Sequence, residues 1–357
     1  MEFQKARLAS QLDTPAVTIL LDRLEANIAR VQRIVAGHGV ALRPHIKTHK
    51  IPAIAKMQLA AGAVGITCQK LGEVEAFVDE GVDDDILITF NIVGDSKTDR
   101  LAALAKRVRH LSVVLDNETV ARGISAAARR AGVEIPFLIE CDTGFGRNGV
   151  ATPHAAVDLA TSAMKLPGLR FEGLMTYPNR PETAVYFTEA LALFAKAGID
   201  VAVVSGGGTP ALGTVGDFPM LTEQRAGTYV YNDVLIVSAG AATWADCAMY
   251  VRATVVSRPA PDRAVIDTGS KVLTREQYSV KNFGRVVEYP DAVVVNLNEE
   301  HGVIDLSACA SRPEVGEVIN VIPNHCCVVS NMVDEVYGIR GDAVEVVWPV
   351  AARGKVR

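Results

Sequence analysis

Four short segments carry residue types that could do chemistry. The first, Arg43-Pro-His-Ile-Lys-Thr-His-Lys50, ends an apolar run. Period-2 alternation there predicts Arg43, His45 and Lys47 on one face, which in a closed barrel is the interior. A lysine inside a barrel is costly unless paired or deprotonated, because desolvation disfavours the ammonium. An uncharged amine is also the form that attacks an aldehyde. Alone, the segment reads equally as a basic surface loop. Ser205-Gly-Gly-Gly-Thr-Pro210 follows a later apolar run. Its glycines let successive backbone N–H groups converge on an anion, and the hydroxyls of Ser205 and Thr209 add donors; a flexible turn is the plainer reading. In Asp142-Thr-Gly-Phe-Gly-Arg-Asn-Gly149, the glycines allow a turn that aims Arg147 back over a barrel mouth, where a guanidinium could hold a phenolate oxygen or a carboxylate. A plain surface arginine is the alternative. In Asn324-His-Cys-Cys-Val328, an extended chain would put His325 and Cys327 on one face, a pairing that suits zinc; buried apolar cysteines are the competing view.

The elements that must position these residues follow a regular beat up to about residue 235. Apolar runs at Ala16–Leu21, Val40–His45, Ala63–Thr67, Ile86–Phe90, Leu111–Leu115, Pro136–Cys141, Leu169–Thr176 and Val201–Ser205 alternate with amphipathic stretches. The helix candidates are Leu24–Ala36, Ile51–Ala61, Gly72–Asp79, Asp99–Val108, Glu118–Ala131, Pro153–Met164 and Glu182–Ala197. A further run, Gln224–Val230, follows the glycine cluster. Such alternation predicts a parallel sheet of βαβ units, and its spacing fits a (β/α)8 TIM barrel. One strand is surplus, and Ala16–Leu21 is assigned to a second domain. After about residue 240 short runs at Tyr250–Ser257, Arg263–Asp267, Val286–Tyr289, Ala292–Asn296, Val303–Leu306, Glu317–Val321 and Ala343–Val350 have turn residues between them. No helical stretch is expected among them. This is the pattern of an antiparallel β domain. The expected division is therefore a barrel over 22–238 and a β domain from 1–21 and 239–357, with Arg353–Arg357 as a loose tail.

Composition narrows the function class. A net charge of -5 offers no electrostatic footprint for nucleic acid or an anionic membrane. No apolar run approaches the roughly 20 residues that cross a bilayer. The N-terminus lacks an apolar core with a small-residue cleavage site, and the six cysteines are scattered apart from Cys326 and Cys327. A cytoplasmic protein with reduced cysteines is the expectation.

Taken together, these segments resemble the fold type III pyridoxal-phosphate enzymes, the alanine racemase-like barrel family, and within it the branch of D-threonine aldolase and eukaryotic-type D-serine dehydratase. Besides the four above, the matching pieces are Gly65-Ile-Thr-Cys-Gln-Lys70, Arg225-Ala-Gly-Thr-Tyr-Val-Tyr-Asn-Asp233, Asp267-Thr-Gly-Ser-Lys271 and Glu299-Glu-His-Gly302. The resemblance implies Lys47 as the Schiff-base lysine and the acid or base at Cα, with Arg147 facing the cofactor phenolate. Gly206, Gly207 and Gly208, with Gly227 and Thr228, would bind the phosphate, and Ser205, Thr209 and Tyr229 complete the cofactor contacts. Either Tyr177 or Arg225 would meet the pyridine nitrogen. His325 and Cys327 would hold a divalent metal, zinc or manganese, and His301 would line the site. The resemblance implies a homodimer acting on a small D-β-hydroxy amino acid, first of all a low-specificity D-threonine aldolase. The alternatives are a D-serine or 3-hydroxyaspartate dehydratase and a 3-hydroxyaspartate aldolase. A non-catalytic pyridoxal-phosphate carrier would be a barrel alone, and the β domain with its His325/Cys327 pair argues against it.

Overall fold

The computed structural model describes residues 8–357; residues 1–7, the start of the expected β domain, lie outside the described residues. The chain divides into two compact units. A β unit runs up to Ala29 and includes Thr48–Ile51 and Thr228–Gly354, while a barrel unit takes Arg30–Lys47, Pro52–Gly227 and Lys355–Arg357. Strand β1 (Ala16–Leu20) lies in the β unit, and helix α1 (Leu21–Gly37) starts there and ends in the barrel unit.

The barrel strands are β2 (Ala41–Leu42), β3 (Ile66–Cys68), β4 (Asp85–Ile88), β5 (His110–Leu115), β6 (Ile135–Glu140), β7 (Leu169–Met175), β8 (Val203–Gly206) and β9 (Glu223–Gln224). All pair in parallel in the order β2-β9-β8-β7-β6-β5-β4-β3. A bridge between His45 and Thr67, with the Thr67 N–H 2.8 Å from the Pro44 carbonyl, closes the ring between β2 and β3. Helices α2 (Pro52–Ala60), α3 (Leu71–Asp79), α4 (Asp95–Leu104), α5 (Glu118–Ala131), α6 (Pro153–Ala163) and α7 (Pro181–Lys196) alternate with the strands. The expected (β/α)8 barrel is present.

Local chemistry explains the boundaries. Helix α5 starts where the Asn117 side chain accepts the Val120 N–H, and it stops at Gly132 in the left-handed region. Its Val120, Ala121, Ile124, Ala127 and Ala128 form one buried face. Helix α6 is capped by Thr152 with Pro153 in its first turn. Strand β6 is buried along its whole length, as a parallel strand covered on both faces must be. At Gly173 in β7 a Cβ would lie 1.8 Å from the Val203 carbonyl oxygen, so only glycine admits the close approach to β8.

Two barrel expectations need correction. The Val40–His45 run is regular strand only at Ala41–Leu42, although Arg43 and His45 still donate to the Gln224 and Ala226 carbonyls at 3.0 and 2.9 Å; Pro44 has no N–H to give on the opposite side. Lys47 sits instead in a 3-10 turn, Ile46–Thr48, so strand alternation does not reach it. The Gln224–Val230 run ends as strand at Gln224, and Thr228–Val230 forms a second 3-10 turn.

In the β unit, β10 (Met249–Ala260), β11 (Arg263–Ile266), β12 (Arg285–Val286), β13 (Val293–Leu297), β14 (Gly302–Asp305) and β15 (Val318–Ile322) pair in a closed circuit, β10-β11-β14-β13-β12-β15. Strand β1 joins it, antiparallel to β10 and parallel to β16 (Glu335–Arg340), and β17 (Ala343–Pro349) follows β16. The sequence pattern overlooked β16, where Gly338 and Arg340 dilute the apolar run. It also overlooked the short helices α8 (Val234–Ser238), α9 (Ser270–Leu273) and α10 (Cys326–Met332). The tail is not loose: the Arg357 carbonyl accepts the Gly72 N–H at 2.8 Å and an Arg100 guanidinium N–H at 3.3 Å. Among the described residues no helix is long and apolar enough to cross a membrane.

A chain of ion pairs ties the barrel strands together. Arg43 binds Asp85 at 2.7 Å and Glu223 at 2.8 Å. His110 places Nδ1 3.0 Å from Asp85 and Nε2 2.9 Å from Glu172. Bonds from Asp85 and then Glu172 raise the His110 imidazole to about 9, against partial burial. Because this value lies above the ordinary one, the stabilisation is complete below about pH 6.5 and is lost as pH rises through about 9. The ring is one-third exposed, so solvent screening leaves the contribution on the order of 1 kcal/mol. His110→Gln should therefore lower Tm at pH 6, and the gap to the parent should close by pH 10. Thermal melts across that range check this; a gap independent of pH would refute it.

Candidate active site

Within the barrel unit the sequence-flagged segments meet around one aromatic ring. Lys47 is half-buried, with Nζ 5.8 Å from the centroid of the Tyr177 ring. The Arg147 guanidinium carbon lies 5.2 Å from the same centroid. Tyr177 also borders the glycine loop, since a Cβ on Gly208 would be 3.1 Å from its Cε2. The Lys47 turn is braced by His45, whose Nδ1 accepts the Lys47 N–H at 3.3 Å while Nε2 lies 3.1 Å from Gln69 Oε1. The turn expected before Arg147 is built on Asp142, whose carboxylate accepts the N–H groups of Gly144, Phe145 and Gly146. Those three bonds hold its pKa below the usual range.

The triple-glycine segment leaves β8 as a loop that only glycine admits. Gly207 and Gly208 have φ of 103° and 146°, and a Cβ on Gly207 would strike the Gln224 side chain at 2.2 Å. Gly207 donates its N–H to Asn179 Oδ1 at 2.7 Å, and the buried Nδ2 of Asn179 has no hydrogen-bond partner. Ser205 and Thr209 flank the loop, both buried. Arg225 is buried and donates to Ser205 Oγ and to the Thr176 carbonyl; burial brings it down to about 10. Ser205 in turn donates to Glu223, which pairs with Arg43. Glu140, only 2% exposed, has one carboxylate oxygen 3.7 Å from Arg147 and the other without a hydrogen-bond partner. Burial pushes it up to about 7 against the pull of Arg147 and then Arg225. This cradle combines glycine backbone, three cations and one donor without a partner, Asn179 Nδ2. It fits a phosphorylated, anionic aldehyde cofactor.

The β unit holds the second group. His325 caps α10 and Cys327 lies in its first turn, so the segment is helical rather than extended and the strand argument for a shared face fails. The two side chains nonetheless hydrogen-bond to each other. His325 Nδ1 bonds the Glu276 carboxylate, and Cys327 Sγ lies 3.2 Å from Thr48 Oγ1 and 3.8 Å from Thr228 Oγ1. The hydrogen bond from Cys326 and then His325 hold the Cys327 thiol well below its ordinary value, against burial. The His325 imidazole is raised to about 10 against burial, by Cys327 and then Glu276. Asp233 lies close by, its carboxyl pushed up to about 6 by burial and then by Cys327. Among the described residues no group of three or more His, Cys, Asp or Glu side chains is arranged to hold a metal ion. Imidazole beside an acidified thiol is, however, a donor pair that suits zinc.

Lys47, Tyr177, Arg147 and Gly208 are thus brought together in the barrel unit, with Arg225 and Ser205 linked behind the loop. Gly227 precedes the Thr228–Val230 turn, which contains the buried Tyr229. His301 stands exposed in the turn between β13 and β14, its carbonyl accepting the Asn298 N–H. None of the bonds of the His325 group described here involves it. Sequence reasoning missed Glu140, Asn179 and Glu276. An acid at the end of the apolar run Ile135–Glu140 was a usable signal for the first. The other two sit in irregular segments that carry none.

Comparison with known proteins accords with this architecture. Residues 19–234 match the family "Alanine racemase, N-terminal domain", and residues 248–339 match a serine dehydratase domain. A D-threonine aldolase from Arthrobacter sp. is 36% identical over 97% of this chain and 94% of its own. A 3-hydroxy-D-aspartate aldolase from Paracoccus denitrificans is 31% identical, over 97% and 93% of the two chains. A D-threo-3-hydroxyaspartate dehydratase from Delftia sp. is 30% identical, over 94% and 97%. The crystal structure of a D-threonine aldolase from Filomicrobium marinum superposes with a TM-score of 0.91 at 32% identity, covering 99% of this chain and 100% of that one. These curated relatives are lyases by name, and the fold and family imply pyridoxal phosphate. The chain belongs to the alanine racemase-like family, in its branch of D-threonine aldolases and 3-hydroxyaspartate or D-serine dehydratases.

Proposed function

We propose that this chain is a low-specificity D-threonine aldolase, splitting D-β-hydroxy amino acids into glycine and an aldehyde, with pyridoxal phosphate on Lys47 and a divalent ion on His325 and Cys327. The observation that carries the reading is the convergence of Lys47, Arg147 and Gly208 on the Tyr177 ring. The 36% identity to an aldolase supports the aldolase over the dehydratase activity.

The residues divide the work by their chemistry. The loop Gly206–Gly208 and the Thr209 hydroxyl would bind the phosphate, with the Gly207 N–H released from Asn179, while Ser205, whose O–H goes to Glu223, backs the loop. Arg147 would hold the phenolate oxygen with a charge-assisted bond. The His45–Gln69 pair keeps the Lys47 turn in place. When bound, the cofactor supplies an electron sink for the pair that Cα–Cβ cleavage leaves on Cα, and the ion a Lewis acid for the β-hydroxyl. Lys47 moves the proton that completes glycine at Cα. Zinc or manganese would be held by the His325 imidazole and the Cys327 thiolate. Within the β unit Thr48 bonds Cys327, which helps to fix that thiol.

A second reading, a dehydratase for D-serine or 3-hydroxyaspartate, is favoured by the Delftia relative. Product analysis separates the two. Incubated with D-threonine and a divalent metal, the protein should yield glycine and acetaldehyde; 2-oxobutyrate and ammonia would mean dehydration. Lys47→Ala should lose the cofactor absorbance near the visible edge and all turnover, and a retained band would remove Lys47. His325→Ala should keep that band yet lose bound metal and metal-supported activity. Unchanged metal content by elemental analysis would remove His325.

A further inference from the structure

We propose that Glu276 is a positioning residue for the metal-binding histidine: its carboxylate holds His325 with the proton on Nδ1, so that Nε2 and Cys327 Sγ take the ion. This rests on the metal reading above. A carboxylate can only accept a hydrogen bond, so its partner nitrogen must be the protonated one. Nδ1 is that nitrogen, because it bonds Glu276 Oε2. The lone pair of a neutral ring is then confined to Nε2, and Cys327 is the other donor hydrogen-bonded to the ring. A ligating histidine commonly gives its second N–H to a carboxylate, which fixes the ring and strengthens it as a donor.

Glu276 is held for this task by its own surroundings. Its N–H donates to Thr274 Oγ1 at 3.3 Å. Its carbonyl accepts the Asn324 amide at 3.0 Å. Asn324, 2% exposed and adjacent to His325 in sequence, also donates to the Asn282 carbonyl and accepts the Gly284 N–H at 2.9 Å. One buried amide thus fastens both ends of the 276–284 segment beside the histidine. Tyr278, from the same segment, packs edge-on to the His325 ring with centroids 5.8 Å apart. A carboxylate on the Nδ1 side cannot also reach an ion bound at Nε2. Glu276 therefore orients the ligand rather than ligating.

The test uses the purified full chain and Co²⁺ as the probe, titrated and followed by its d–d and thiolate charge-transfer absorption. Glu276→Gln can donate an N–H to Nδ1 and so release the other tautomer. It should weaken Co²⁺ binding by roughly 10–100-fold, with cofactor absorbance unchanged and Glu276→Asp partly restoring affinity. In the Zn²⁺-loaded protein, histidine ¹⁵N spectra should show Nε2 ligation in the parent and lose that signature in Glu276→Gln, which a merely structural loss would not produce. Parent-like affinity in both Glu276→Gln and Glu276→Ala, with His325→Ala unable to bind, overturns the role of Glu276 and leaves the metal reading standing. Parent-like binding in His325→Ala overturns both.

Discussion

Two cations share one ring just past the C-terminal end of β7. Lys47 and Arg147 both lie within 6 Å of the Tyr177 centroid, where like charges repel and neither is fully in water. Three features make that tolerable. The π face of Tyr177 attracts both cations, Glu140 places a carboxylate near Arg147, and the glycine loop leaves room for an anion beside them. A phosphorylated cofactor with an ionised phenolate answers this charge balance.

The rest of the barrel serves that arrangement. The path from Arg225 through Ser205 and Glu223 to Arg43, and on through Asp85 to His110 and Glu172, links residues of β4, β5, β7, β8 and β9 with ionic or hydrogen bonds. A buried ion pair adds little net stability by itself, but losing one partner leaves an uncompensated charge. The network thus constrains where Arg225 and the loop after β8 can sit. In the β unit a smaller network does the equivalent work, with Asn324 tying the 276–284 segment down and Asp233 accepting the Cys326 N–H at 3.1 Å.

Much of the plan was legible in the amino-acid order. Alternating apolar runs and amphipathic stretches specify a parallel barrel because strands buried on both faces must be apolar throughout, and helices covering them only on one side. The change of beat after residue 240 marked the β unit for the same reason. Lys47, Arg147 and the triple glycine stood out as candidates because each is an odd residue type at the end of a run. The sequence by itself did not determine the conformation of Lys47 or of His325–Cys327. Lys47 entered a 3-10 turn and α10 replaced an extended segment, and both depend on which neighbours complete the backbone hydrogen bonds. Nor could it determine the partners Glu140, Asn179 and Glu276. Glu276 is 49 residues from His325 in sequence, and a hydrogen bond across that span is decided by packing, which no local pattern encodes.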